Sequence, residues 1–575
     1  MRLESYKTIR TDVMVIGGGG AACRAAIEAS NRGRSVIMID KDIPGKSGAT
    51  PCAFWSIQAP MGKDGQSTED TPEQFFEDMV NGGHYFGDQN ITELIAFTAK
   101  ERIFDMKKYG VKFAFLDDGR FVQTPMPGQT YPRSCFMIAN GTNMSTHLAK
   151  EVSRRENIRV LKDHLVFRLL TNKGQAVGGL ALDQNEGGLV AIEAVSTVLA
   201  CGGYTGLWSF SDNPPTMIGD GVALASRIGA DLVDLEMNQY YGTDLVWPES
   251  ARGTVLLYEC LHKDMTGGNI YNKDGEAIFG DPLPIRDEAI KVIYREIQAG
   301  NGGPHGGVYF DLTKCAAGIE GAKKVYGEMT TKQLRFIEDA TGYNMVDTPL
   351  EVAPASHYQL GGVYINERCE SSLPGLFACG EVAGNFQGDN RLAGSALCDT
   401  QATGAKAGET AAAFAADSGF AGLDDAQVEA FAGESKKYFE NRDGALKSSY
   451  LRREVKETMT KYVSPYRSEK GLTAAKECML NYEADLAKVQ ISPITKRNTE
   501  WREALELEMM LDTAKLIIDG ALFRKESRGH HFREDFPETD NRNWRKHTLV
   551  KKTDKGFEYS LKDIVYTRMP PKDGE

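Results

Sequence analysis

At 575 residues the chain exceeds what one hydrophobic core can fill, since single cores stop growing near roughly 250–300 residues, and several domains are expected. A hydrophobic content of 41% with 26% charged residues excludes a disordered or fibrous chain. The net charge of −13 argues against a nucleic-acid partner, and the most basic run, 545–555, is short and broken by Asp554.

Residues 12–40, DVMVIGGGGAACRAAIEASNRGRSVIMID, organise the rest. Val13, Val15 and Ile16 read as a buried parallel strand that turns sharply at Gly17–Gly20. Ala22, Ala25, Ala26 and Ala29 recur at helical spacing, so a helix packs closely on the strand it has just left. A second apolar run ends on Asp40, 23 positions after Gly17. This is the dinucleotide-binding pattern, with Ala22 in the third small-residue slot. Gly17 permits the tight turn, and Gly19 lets the backbone approach a pyrophosphate. Gly20 and Ala21 lie at a helix start with unpaired N–H groups, and Asp40 would accept from a ribose hydroxyl.

The loop after Asp40 is rich in Gly, Ser and Thr as far as Trp55, too irregular for a helix. Lys41, Ser47, Gly48 and Ala49 are expected beside a ring system there. Residues 72–110 carry helical patterning, started by Thr71-Pro72 and stopped at Gly110. Short apolar strands recur over 158–199, and the glycine pair at 202–203 would bring the backbone back to the cofactor. From about residue 247 the texture changes to short segments and turns around one clear helix at 286–299, which reads as an inserted domain. Residues 350–412 return to the earlier style, with a strand at 376–378 running into Gly380-Glu381 and a small-residue helix at 394–413. The chain is then strongly helical to about 528 and ends in a polar, turn-rich segment.

The expected organisation is therefore α/β: a nucleotide-binding domain in two segments, 1–246 and 351–423, a capping domain at 247–350, a helical bundle at 424–530 and a tail at 531–575. The ten cysteines include no C-x-x-C, so no iron–sulfur or zinc site is expected and most should be buried. No run approaches the ~20 apolar residues of a membrane span and no secretory pattern opens the chain, so a cytoplasmic location is expected.

Several motifs together carry a family resemblance: VIGGGGAACRAA, TVLACGGYTG, GDGVALASRIGADLVDLE, ARG at 251–253, APASHYQLGGV, LPGLFACGEVAGN, DNRLAGSAL and ESRGHHFREDFPE. Their content and order resemble the flavoprotein subunits of succinate dehydrogenase and fumarate reductase, with aspartate oxidase in the same superfamily. The resemblance implies a Rossmann-like FAD domain in two segments, an inserted α+β cap and a C-terminal helical domain. It implies that Gly202, Asp220 and Glu381 face FAD, Glu381 at the ribityl chain. It puts Ser395, Ala396 and Leu397, at a helix start, near the flavin ring, where the helix dipole favours negative charge. For the substrate it implies Arg391 and His357 on a carboxylate and Arg252 as proton donor, with Glu249 placed to re-protonate that arginine.

The chain departs from the family in three places. Gly48 stands where the respiratory enzymes carry the histidine that links FAD, so FAD should be non-covalent. Tyr241 stands in place of a substrate-binding histidine, and Pro248-Glu249 in place of Thr-Glu. The expected activity is reduction, or formation, of a carbon–carbon double bond in a small unsaturated carboxylic acid other than plain fumarate or succinate. A larger acid stacked on Tyr240 or Tyr241 fits that expectation. Electrons would pass to or from an iron–sulfur subunit, through which the chain could associate with a membrane. The alternatives are an aspartate oxidase-like enzyme using oxygen or fumarate, an adenylylsulfate reductase-like subunit, and an FAD subunit that only transfers electrons.

Overall fold

The computed structural model describes residues 6–54, 56–263, 265–441 and 445–572, and within them the side chains of all but 325–333. The end of the loop expected to run to Trp55 and the last three tail residues lie outside the described residues. A seven-stranded sheet forms the base, in the order Ile158–Leu161, Val36–Ile39, Lys7–Ile16, Gly188–Leu199, Gln175–Asp183, His164–Asn172, with Leu376–Ala378 added beside Gly188–Leu199. The first four strands and Leu376–Ala378 pair in parallel, and the other two form an antiparallel arm. Gly188–Leu199 serves both parts because its β-branched run is long enough: its first half pairs with the arm and its last residues with Leu376–Ala378.

Gly17, at φ 129°, makes the turn out of Lys7–Ile16, and a Cβ there would stand 2.2 Å from the Ala200 carbonyl oxygen. The helix Gly20–Asn31 follows, and Ser395–Asp417 crosses it so closely that a Cβ on Gly408 would meet the Ala25 carbonyl oxygen at 2.3 Å. The two segments of the nucleotide-binding fold are thus joined by sheet pairing and by a helix crossing built from small residues.

The helical stretch expected over 72–110 is two helices, Pro72–Gly82 and Gln89–Lys108. Thr71 caps the first by accepting from the Gln74 N–H. The break has a tertiary cause: His84 and Tyr85 take positive φ so that the chain can pass against residues 385–388, where Asp88 donates its N–H to the Asn385 carbonyl.

A second hydrophobic core gathers residues between Tyr241 and Val352 under a four-stranded antiparallel sheet, Asn238–Leu245, Leu350–Gln359, Val308–Asp311 and Asn269–Tyr271. This sheet runs across the borders expected at 247 and 350, so the inserted segment is anchored by long strands. The C-terminal helices Asp425–Glu440, Ser448–Tyr462, Glu469–Asp485 and Thr499–Phe523 pack on the first core.

The polar, turn-rich segment expected after about 528 begins in a buried cluster of charged side chains. Arg524, Glu526, Arg528, His530, His531 and Arg533 are all nearly inaccessible, with Arg524 bonding Glu236 at 2.6 Å and Glu526 at 2.9 Å. Composition suggests exposure because it weighs each charge alone, whereas here they neutralise one another. Beyond them the hairpin His547–Thr553/Gly556–Lys562 pairs with Leu232–Val233 of the first segment.

Candidate active site

One long cavity runs from the glycine turn, past the strand ends, to the inserted segment. At its first end it is lined by Gly17, Gly19, Gly20, Ala21, Asp40 and Lys41, and along the side by Ser47, Gly48, Ala49, Gly202 and Asp220. Glu381, Arg391, Ala396 and Leu397 line its middle. Ala22 and Ser395 do not reach it. Ala22 is fully buried in the helix, and the Ser395 hydroxyl turns to the Leu392 carbonyl at 2.9 Å and Gln387 at 3.2 Å. Both sit in the expected motifs, but the helical turn carries their side chains to the other face.

The cavity residues fit a dinucleotide flavin. The Gly20–Asn31 and Ser395–Asp417 helices both begin at a glycine N-cap; the Gly20 N–H donates to the Thr50 hydroxyl at 3.0 Å and the Ser395 N–H to the Leu392 carbonyl at 3.2 Å, and the N–H groups that follow them in the first turn are the ones suited to a ligand. Asp40 is buried, which raises its carboxyl to about 6, and it accepts from the Asp42 N–H at 2.6 Å. Lys41 reaches Asp220 at 2.7 Å and Glu506 at 3.2 Å, while the other Asp220 oxygen is buried without a partner. Glu381 is the clearest sign. Burial lifts it to about 8, it accepts from the Gln359 N–H at 3.0 Å, and a Cβ on Gly203 would collide with its carboxyl at 2.3 Å. A buried carboxyl lining the cavity, given its room by a glycine, is suited to accept hydroxyl donors from a ligand. At Gly48 a Cβ would meet nothing within 4 Å.

At the far end two chains of polar groups meet. In the first, His357 Nδ1 is 2.5 Å from Asp212 Oδ2 and its Nε2 is 2.9 Å from Arg391 Nη2. A carboxylate can only accept and a guanidinium only donate, so the neutral ring carries its proton on Nδ1. Burial holds this imidazole below its ordinary value, with the Arg391 and Arg286 charges acting the same way against the pull of Asp212. Burial and Arg286 also bring Arg391 down to about 10, and the Arg391 Nε is buried without a partner. In the second chain, Arg286 Nη2 donates to Glu259 Oε1 at 2.6 Å, and the Tyr241 hydroxyl donates to Glu259 Oε2 at 2.5 Å while accepting from the Tyr258 N–H at 3.0 Å. Burial pushes Glu259 up, but Arg286 and Tyr241 outweigh it and hold it below the usual carboxylate range. The chains touch where the Tyr241 and His357 rings lie 5.3 Å apart, with the Arg286 guanidinium 4.8 Å from the Tyr241 ring centre.

Arg252 and Glu249, expected as proton donor and its carboxylate partner, lie away from the cavity. Both are exposed, and Arg252 stacks on Phe210 at 4.3 Å. The Ala-Arg-Gly motif sits on a surface turn, Glu249–Ala251, after the strand has left the site. Tyr240 is also outside the cavity, its hydroxyl on the Val463 carbonyl at 3.2 Å. Arg286, Glu259 and Asp212 are site residues that the sequence did not single out. One signal existed for Arg286: it opens the helix Arg286–Gln298, where a positive charge opposes the helix dipole and calls for a separate reason.

A cavity shaped for a dinucleotide, opening on paired arginines and a histidine, defines a flavin-dependent oxidoreductase. Residues 12–397 match the FAD binding domain family, and residues 452–575 the fumarate reductase flavoprotein C-terminal family. The chain is 36% identical to a fumarate reductase (CoM/CoB) subunit from Methanothermobacter marburgensis, over 96% of this chain and 98% of the relative. It is 30% identical to the 8-methylmenaquinol:fumarate reductase flavoprotein subunit of Wolinella succinogenes, over 97% of this chain and 91% of the relative. The structure of Mycobacterium smegmatis Sdh1 aligns with a TM-score of 0.88 at 29% identity, covering 98% of this chain and 96% of that one. Adenylylsulfate reductase from Archaeoglobus fulgidus aligns at 0.81 and 19% identity, over 99% of this chain and 97% of that one, a likeness of fold.

The chain belongs to the fumarate reductase and succinate dehydrogenase flavoprotein family, and it is an FAD-dependent oxidoreductase acting on CH–CH groups. Among the described residues no helix is long and apolar enough to cross a membrane.

Acid precipitation of the yellow protein is expected to leave all flavin in the supernatant, because Gly48 has no side chain to form a bond. Colour in the pellet would show that another cavity residue is the attachment point.

Proposed function

We propose that this chain reduces the carbon–carbon double bond of an unsaturated carboxylic acid, drawing electrons from a separate donor subunit. The observation that carries the reading is the meeting of Arg391, His357, Arg286 and Glu259 at the end of the FAD cavity. Bound FAD supplies the hydride. Arg391 lines the cavity and holds the carboxylate of the acid through its guanidinium, whose orientation is fixed by the Leu392 carbonyl at 2.9 Å and His357 at 2.9 Å.

Arg286 is suited to give the proton. Its Nη1 is buried without a partner, and its Nη2 already rests on Glu259. A guanidinium is a weak acid, with an ordinary pKa above ~12, but the carbon that receives the hydride's neighbouring charge is a far stronger base than water. Glu259, kept ionised by Arg286 and Tyr241, polarises the guanidinium, and after proton transfer it can take up a proton from solvent and hand it on to the arginine.

Relatives at this similarity are named as subunits, which supports a separate chain as the source of electrons, and an iron–sulfur subunit is the donor that the family resemblance implies. The purified chain is expected to oxidise reduced viologen quickly with unsaturated acids and NADH slowly, followed by loss of viologen colour. Fast NADH oxidation by the chain alone would refute the donor subunit, and failure with every unsaturated acid would refute the carbon–carbon reading.

A further inference from the structure

We infer that the acid reduced here is a monocarboxylate whose double bond carries an apolar alkyl or aryl substituent, and that dicarboxylates are poor substrates. The inference rests on the reading of this site as one that hydrogenates an unsaturated acid.

The first argument is the fate of the hydroxyls on the side of the inserted segment. Of these only Tyr241 lines the cavity, and its single proton goes to Glu259 at 2.5 Å, which leaves none for a second carboxylate.

The second argument is the wall itself. Beyond Tyr241 the cavity is lined by Phe54, Met126, Val255 and Leu257, all of which pack into or against the second hydrophobic core. None of these four side chains carries a donor, so a carboxylate set against them would lose its water, whereas a phenyl or alkyl group would lose only unfavourable contact with water.

Charge is the third. Arg286 is matched by Glu259, and Arg391 is linked through neutral His357 to Asp212. Burial keeps Glu381 protonated up to about 8, and it raises Asp244, a neighbour of Asp212 with both oxygens unpartnered, well above the usual carboxylate range. The arginines are therefore already balanced before substrate enters. One incoming carboxylate can be held by Arg391, which lines the cavity; a second would bring a further uncompensated charge into the site.

The reaction balances without another reagent. Two reduced viologen molecules give one electron each to the holoenzyme. A hydride and a proton then add to the two alkene carbons, and solvent restores the protons, giving the saturated acid.

The test uses the holoenzyme with reduced methyl viologen and compares crotonate and cinnamate with fumarate. The value of kcat/KM is expected to be at least ~10²-fold higher for cinnamate or crotonate, given that sites with mismatched polar groups discriminate by up to ~10⁴–10⁵. Equal or higher kcat/KM for fumarate would overturn the inference while leaving carbon–carbon reduction intact. If no acid is reduced, the functional reading itself fails, and binding still decides the present point. 3-Phenylpropionate should shift the flavin absorption spectrum at lower concentration than succinate, and the reverse order would overturn it. Half-buried Met126 offers a tolerant position for a second check. Met126→Lys should raise the ratio of fumarate to cinnamate kcat/KM at least ~10-fold by adding a donor to the apolar wall, and an unchanged ratio would remove that wall from the substrate site.

Discussion

Replacing Arg286 with glutamine is expected to lower turnover of an unsaturated acid by about 10²–10⁴-fold, the range general acid catalysis contributes, with flavin content unchanged. Glutamine keeps a donor near Glu259 but has no proton to give. The same change leaves Glu259 buried against Tyr241 without its cation, so its carboxyl should titrate higher and the pH dependence of the residual rate should move to higher pH. Arg286→Lys should recover little, since an ammonium cannot reach both Glu259 and the substrate in one plane. Single-turnover oxidation of the reduced protein separates this from slow electron supply. The control is Arg252→Gln: Arg252 is exposed over Phe210 and should be close to wild type. Loss of turnover in Arg252→Gln, with Arg286→Gln unaffected, would reverse the assignment of the proton donor.

The other large effect concerns stability. His547 is fully buried between Asp234, at 2.5 Å, and Asp88, at 3.2 Å. Burial alone would lower its pKa, but the two carboxylates outweigh it and raise it to about 10. His547→Ala should therefore destabilise the protein by about 3–5 kcal/mol, the usual result of leaving a buried charge without its partner. Because the folded value lies above the unfolded ~6.5, the protonated histidine contributes fully below that pH, and its contribution disappears as pH rises toward about 10. The gap between wild-type and variant unfolding midpoints in urea should accordingly be widest near pH 6 and narrow steadily toward pH 10. A gap that does not change with pH would mean that His547 acts only by packing.

The glycine turn, the return strand at Leu376–Ala378 and the helix Ser395–Asp417 were legible because each depends on local chemistry: a backbone position only glycine tolerates, a short apolar run, and small residues at helical spacing. His357, Arg391 and Tyr241 were legible from their motifs, and the structure brings them into one cavity. What the sequence hid depends on where a loop turns. Arg252 and Arg286 are both arginines of the inserted segment, and only the fold shows that one stacks on the surface while the other faces the cavity. Asp212 lies in a short polar loop that gives no periodic signal, and its partner, His357, is 145 residues away. The buried charged cluster at 524–533 was hidden for a related reason: an arginine and a glutamate that satisfy each other look the same in sequence as two that face solvent.

The order of strands also bears on how the protein is made. Lys7 pairs with Val190, Leu199 with Ala378, and Val233 with Leu549, so the sheets cannot close in the order of synthesis. At roughly 5–20 residues per second, translation of a chain this long takes about half a minute to two minutes. Through most of that time the first strands have exposed edges that later residues must cover. The cofactor cavity takes walls from both sides of the inserted segment. The last of those walls reaches Thr400, so the cavity cannot be complete until both segments have been made, and the earlier strands must be kept from aggregating until then.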